Sequence, residues 1–222
     1  MTTNQKTFSI VPGLNMGLFS PKELAEVVAV INKYNVPMTK ITSAQRLGLL
    51  GMDEEEQARL KAELKPLTRP VPVNGVHYVQ ACPGSLWCKY GTSDSLALGR
   101  RLEQLSFSEP LPGKIKIGVS GCRMSCTEPY VRDVGIFATK KGWTLVFGGN
   151  GGGNPRLGEI VAEGLSDDQV VELVERCLRF YQENAKFKSR TARFMERIGI
   201  DALKNGVLSE PLGVSAPRLP AN

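Results

Sequence analysis

The sequence predicts an α+β fold, on three observations. Short runs of alternating apolar residues mark strands, apolar stripes of helical period behind capping boxes mark helices, and a proline-punctuated stretch separates a small first unit from a larger second one. With 222 residues, 41% hydrophobic and 23% charged, the chain has material for two modest cores, and whole-chain disorder is excluded.

The first unit opens with an extended piece at residues 8–14. Ser20-Pro21-Lys22-Glu23 is a capping box with proline at the first helical position, and Leu24, Val27, Val28 and Ile31 follow on one helical face. A strand is expected at 38–42 and a second apolar segment at 45–51. A helix then starts at Asp53, with Glu54, Glu55 and Glu56 in the first turn, where the helix dipole favours acids, and ends near Leu64. Pro66, Pro70 and Pro72 punctuate a linker to about Gly75, since proline cannot continue a helix. The expected domains are therefore 1–68 and 69–222.

In the second unit a strand at 76–80 runs into the first cysteines, and a helix at 93–105 places Leu98, Leu102 and Leu105 together. A strand at 114–119 sets Ile115, Ile117 and Val119 on one face and Lys114 and Lys116 on the other. Strands at 134–139 and 143–147 are joined through Lys140-Lys141-Gly142 as a hairpin. Ser166-Asp167-Asp168-Gln169 is a second capping box, opening a helix with Val170, Val174, Cys177 and Tyr181 inward. A last helix at 191–198 stops at Gly199, and the tail from Pro211 is expected to fray.

The net charge is +6, but Lys and Arg are scattered among acids and no helix carries a basic stripe. That argues against nucleic acid and for an anionic small molecule. The longest apolar stretches, such as Val27 to Ile31, are far short of the roughly 18 residues of a membrane span, and the first six residues lack the apolar core of a signal peptide. The expectation is a cytoplasmic protein with no membrane partner, as a monomer or homodimer.

Five cysteines in a reducing compartment do not make a disulfide framework, because an odd count leaves one over. Four of them form two pairs, Cys82-x5-Cys88 and Cys122-x3-Cys126, 33 residues apart, each at the end of an expected strand in a glycine-bearing loop. Backbone N–H groups beside the sulfurs suit an anionic iron–sulfur cluster. Zinc is the competitor, but its knuckles favour tighter spacing, and the first arm suits a larger [4Fe–4S] cuboid better. Cys177 lies on the apolar face of its helix and reads as a small core residue. His77, the only histidine, receives no role.

The run Cys82-Pro83-Gly84-Ser85-Leu86-Trp87-Cys88, then Asp94-Ser95, then Lys114-Ile115-Lys116 through Gly121-Cys122-Arg123-Met124-Ser125-Cys126 resembles the cluster domain of the sirohaem-dependent sulfite and nitrite reductases. The match continues through Asp133-Val134-Gly135, Gly142-Trp143, Gly148 to Gly152 and Pro155-Arg156. In front of it, Phe8 to Gly51, with Thr42, Gln45 and Arg46, resembles the ferredoxin-like half-domain of that family. The resemblance covers the chain to about Leu208.

It implies that Cys82, Cys88, Cys122 and Cys126 are the cluster thiolates and that Cys126 is shared with the sirohaem iron. Such a bridge puts an electron store in contact with the metal that binds substrate. The carboxylates of sirohaem need cations and backbone donors, for which Arg46, Arg123, Arg156 and the loop bearing Gly149, Asn150 and Gly151 are the matches. Lys114 and Lys116 match the cations that hold the oxyanion substrate near Cys122. Ala44 departs from the pattern, standing where many members have arginine. Longer members carry two pseudo-repeats, of which this chain matches one. The implied activity is six-electron reduction of sulfite to sulfide. Nitrite reduction to ammonia, or a cluster-only electron carrier of the same fold, is the alternative. No flavin or nicotinamide fingerprint is present, so a separate low-potential donor protein is implied.

Overall fold

The first strand, β1 (Phe8–Ile10), is short because Gly13 turns the chain at φ 70° and a 3-10 turn follows at Asn15–Gly17, so Gly13 and Leu14 do not extend it. The computed structural model describes residues 8–11 and 13–213; the expected frayed tail lies mostly outside these. The chain divides into two units, Met1–Val71 and Pro72–Asn222.

In the first unit α1 (Pro21–Lys33) begins with the expected capping box: Glu23 N–H donates to the Ser20 side chain, and the Glu23 carboxylate accepts from the Ser20 N–H. Strands β2 (Met38–Ile41) and β3 (Leu47–Leu50) form a hairpin, and β1 pairs antiparallel on the other side of β3, giving the order β1-β3-β2. Helix α2 (Glu54–Leu64) is capped by Asp53, which accepts from Glu56 N–H at 2.7 Å. Leu47 and Leu49 of β3 bury with Val27 of α1 and Leu60 and Leu64 of α2. Each such side chain contributes roughly 1.5–3 kcal/mol. β2 is an edge strand and is exposed throughout.

The second unit is built on one sheet, β4 (Tyr78–Ala81), β5 (Lys116–Ser120), β6 (Val134–Thr139), β7 (Gly142–Phe147) and β8 (Glu159–Leu165), neighbours in that order. The first three strands are parallel and the last two antiparallel, so the sheet is mixed. A short helix α3 (Gly84–Trp87) and then α4 (Ser95–Glu103) carry the crossover from β4 to β5. Helix α5 (Asp167–Asn184) carries the second capping box and buries Val170, Val174, Cys177 and Tyr181 as expected. Helix α6 (Thr191–Val207) breaks at Gly199 (φ 76°, ψ 165°) where a stop is expected, yet resumes because Leu203 and Val207 have a core to enter.

Asp133, buried just ahead of β6, ties three elements together. Its carboxylate accepts from Arg190 Nη2 at 2.5 Å, Thr191 Oγ1 at 2.6 Å and the Lys116 backbone N–H at 3.0 Å. A buried carboxylate is tolerable only when it is paired and hydrogen-bonded in this way.

Candidate metal centre

Parallel strands carry ligands beyond their carboxyl ends. β4 and β5 are in register with Ala81 beside Val119, so Cys82 and the Gly121-Cys122 turn leave the sheet side by side. The Cys82 N–H donates to Val119 O at 3.1 Å, and the Gly121 N–H donates to the Cys82 sulfur at 3.1 Å. Ser95, fully buried at the start of α4, donates to the Cys82 carbonyl at 2.8 Å and lies 3.3 Å from its Sγ.

The first loop is held by its own backbone. Cys88 N–H donates to Gly84 O, Ser85 N–H to Ser93 O, and Thr92 N–H and Oγ1 both donate to Gly121 O, linking the two cysteine loops. The contacts leave no room for side chains. A Cβ on Gly121 would stand 2.6 Å from Ser93 O and one on Gly91 2.4 Å from the Gly84 carbonyl carbon. On the second loop, Ser120 and Thr127 hydroxyls meet at 2.8 Å and close the turn that contains Cys122 and Cys126.

Cys82, Cys88 and Cys122 are half-buried and Cys126 is exposed, all with free thiols. Partial desolvation raises the Cys126 thiol, and the nearby Cys82, Cys122 and Cys88 push it further, so the four share one electrostatic neighbourhood. Among the described residues no group of three His, Cys, Asp or Glu side chains is drawn tightly enough to grip a single ion. Leu86, Trp87, Tyr90 and Met124 stand exposed on the same loops, an apolar rim around the sulfurs. The donor set, the N–H···S contact and the rim fit a cluster with a large planar macrocycle beside it. Cys177 is buried, with its thiol pushed up by desolvation.

The other expected residues fall in different places. Arg123 is exposed between Cys122 and Cys126. The Gly148–Gly153 loop is a closed turn in which Asn150 and Arg156 exchange backbone hydrogen bonds of 2.8 and 2.9 Å. Gly149 is pressed against Tyr130 O and Arg132 O, whereas Gly151 stands exposed. The Arg156 guanidinium is engaged within this turn by Gly148 O, Leu157 O and Glu159. Arg46 belongs to the first unit, half-buried at the β2–β3 turn, where its N–H donates to Thr42 Oγ1 at 3.1 Å.

The expected convergence of Lys114 and Lys116 beside Cys122 is not what the strand delivers. Lys116 starts β5 while Cys122 follows its far end, about 13 Å of strand away at ~3.3 Å per residue. Burial lowers the Lys116 ammonium and neighbouring Arg190 lowers it further, which places it with the Asp133 cluster. Lys114 is exposed ahead of the strand. Ser95, given no role from the sequence, is the positioning residue the structure adds. Its signal was the Asp94-Ser95 pair opening a helix shortly after the first cysteine loop.

Two family models match the chain: a nitrite/sulfite reductase ferredoxin-like half domain over residues 2–67, and a nitrite and sulphite reductase 4Fe-4S domain over 73–215. An assimilatory-type sulfite reductase of Nitratidesulfovibrio vulgaris is 45% identical over 203 residues, 91% of this chain and 93% of that protein. The large subunit of the Escherichia coli NADH nitrite reductase is 34% identical over 215 residues, 95% of this chain but only 25% of its own length. In three dimensions a dissimilatory sulfite reductase I matches with a TM-score of 0.77 at 13% identity, covering 96% of this chain and 72% of that one. The Mycobacterium tuberculosis NirA protein matches at 0.68 and 20%, covering 89% and 39%. At these identities the two solved structures attest the fold.

Proposed function

Because the chain belongs to the nitrite and sulphite reductase family, we propose that it reduces sulfite to sulfide at a sirohaem coupled to a [4Fe–4S] cluster. Sulfite takes up six electrons and six protons and loses its three oxygens as water. The observation that carries the reading is the delivery of two thiol pairs to one end of the sheet, with Gly121 N–H already donating to Cys82 Sγ. Similarity to an assimilatory-type sulfite reductase over nearly that protein's full length favours sulfite.

In this reading Cys82, Cys88, Cys122 and Cys126 would hold the cluster, and the exposed Cys126 would be the thiol nearest the macrocycle. Bound there, the cofactors would supply stored electrons and a metal that takes up the anion. The chain's own part is placement and charge. Ser95 and Gly121 fix the Cys82 sulfur, and the apolar rim of Leu86, Trp87, Tyr90 and Met124 keeps water from the macrocycle face. Arg123 and the Gly151 N–H, both exposed, would meet macrocycle carboxylates, whereas Arg156 acts through the turn it closes. The resemblance assigns Lys114 and Lys116 to the oxyanion, but from the opposite end of β5 Lys116 sits with the Asp133 cluster. Residues 1–68 form the ferredoxin-like half-domain and 69–222 the cofactor domain. Electrons come from a separate donor protein.

Nitrite is the second reading, favoured by relatives that are nitrite reductases, though the chain spans only about a quarter of the E. coli one. The test is the visible spectrum of anaerobically purified protein with acid extraction of the macrocycle, followed by assays with reduced methyl viologen. Sirohaem with sulfide production supports the proposal, and ammonia from nitrite at the higher kcat/KM selects the second reading. Sirohaem-loaded protein that reduces neither anion is a carrier.

A further inference from the structure

Cys126 is exposed, unlike Cys82, Cys88 and Cys122, and the chain on both sides of it is bent against its preference. Ser125 and Glu128 lie in the left-handed region, at φ 54° and 55°, which residues with side chains rarely adopt. Contacts from outside the turn must hold such a backbone in place. Thr127, buried and next after Cys126, is held on both sides. Its N–H donates to Ser120 Oγ at 3.1 Å, and its carbonyl accepts from Arg132 Nε at 3.0 Å. The other arms of the same guanidinium donate to Tyr78 Oη on β4 at 3.3 Å and to Glu128 Oε2 at 2.7 Å. The Arg132 side chain is only 12% exposed. β5 is glycine where this stem crosses it, for a Cβ on Gly118 would stand 2.9 Å from Thr127 O and 3.0 Å from Arg132 Cγ.

We infer that Arg132 is a positioning residue for the Cys126 thiol: its guanidinium ties the peptide that follows Cys126 to β4 and so sets the direction in which that thiol leaves the sheet. This deepens, and rests on, the reading of Cys126 as a cofactor thiol. The planar fork matters here more than the charge. Nε, Nη1 and Nη2 meet three acceptors in fixed directions, which a lysine ammonium on its flexible stem does not. Tyr78 lies on the strand that runs into Cys82, so the two cysteine arms share one anchor. Arg132 is itself fixed from behind. Gly149 packs on its backbone, where a Cβ would stand 2.5 Å from Arg132 O, and the next residue is the triply bonded Asp133. Freed of this hold, Ser125 and Glu128 relax toward ordinary right-handed backbone, and the thiol between them turns with them.

The test compares iron-loaded wild type, Arg132→Lys and Glu128→Gln by two measurements. Hydrogen exchange with mass spectrometry reads the segment 122–128, and timed iodoacetamide labelling reads each cysteine by its peptide. In Arg132→Lys, which keeps the charge and loses the fork, exchange at 122–128 is expected to quicken roughly tenfold. Cys126 should label about fivefold faster, with Cys82 and Cys88 close to wild type. Glu128→Gln, altered at an exposed side chain, should show the same selective change at about twofold. It decides the question where Arg132→Lys does not fold, and no selective change in it then overturns the proposal. Labelling that quickens alike at all four cysteines makes Arg132 a general brace of the fold and overturns the proposal, as does an Arg132→Lys protein with wild-type labelling at Cys126. A wild type that takes up no iron sinks the cofactor reading alone. Exchange at 122–128 then judges the clamp by itself, and a wild-type rate in Arg132→Lys overturns it.

Discussion

The backbone N–H of Gly121 donates to the sulfur of Cys82 at 3.1 Å, joining two loops that the sequence separates by 39 residues. That contact forms only when β4 and β5 lie parallel and in register, so one proposed cluster ligand is oriented by the turn that carries another. Hydrogen bonds to cluster sulfurs also tune reduction potential.

Cys82→Ser and Cys122→Ser are expected to lose the cluster and much of the folded protein, while Cys177→Ala keeps both. Iron and acid-labile sulfide per chain measure this. Full iron in either of the first two removes that cysteine from the ligand set.

Gly121→Ala should abolish iron loading, because its Cβ would stand 2.6 Å from Ser93 O and 2.9 Å from Gly84 Cα. Gly153→Ala, which meets nothing within 4 Å, should load normally. Equal iron content in the two variants would show that the loop packing is not needed for the site.

Ser95→Ala leaves the Cys82 carbonyl without its hydroxyl donor, at about 1–3 kcal/mol. The cluster should still assemble but surrender its iron to a chelator severalfold faster than wild type. An unchanged rate would assign Ser95 to helix packing alone.

Asp133→Ala strands Arg190 beside Lys116 and is expected to destabilise the second unit by about 3–5 kcal/mol, the usual result of breaking a buried pair. Urea unfolding followed by tryptophan fluorescence reads the shift. A loss under 1 kcal/mol would mean that solvent reaches the site.

Lys114→Met/Lys116→Met separates the two roles open to these lysines. Weakened turnover with an unaltered cofactor spectrum assigns them to the oxyanion. Full turnover leaves them as surface and as part of the Asp133 cluster.

The thiol pairs were legible because spacing and glycine content are local properties, and both capping boxes formed as written for the same reason. β8 was missed: Glu159, Glu163 and a left-handed Gly164 spoil its alternation, and its pairing with β7 shifts register. The second half of α6 was missed because Gly199 does break the helix, and only the tertiary core restarts it. Lys-x-Lys spacing specifies the side of a strand. It is silent about distance from the metal end, which depends on where pairing begins.

The side-by-side exit of Cys82 and Gly121 makes strand register a ruler for metal binding. A slip of one residue between β4 and β5 would move one thiol pair about 3.3 Å along the sheet and turn alternate side chains to the other face. A chain collapsed with such a slip could keep its helices and its compactness and still be colourless. Pigment in a purified sample therefore reports how two strands are aligned, which neither helix content nor size would reveal.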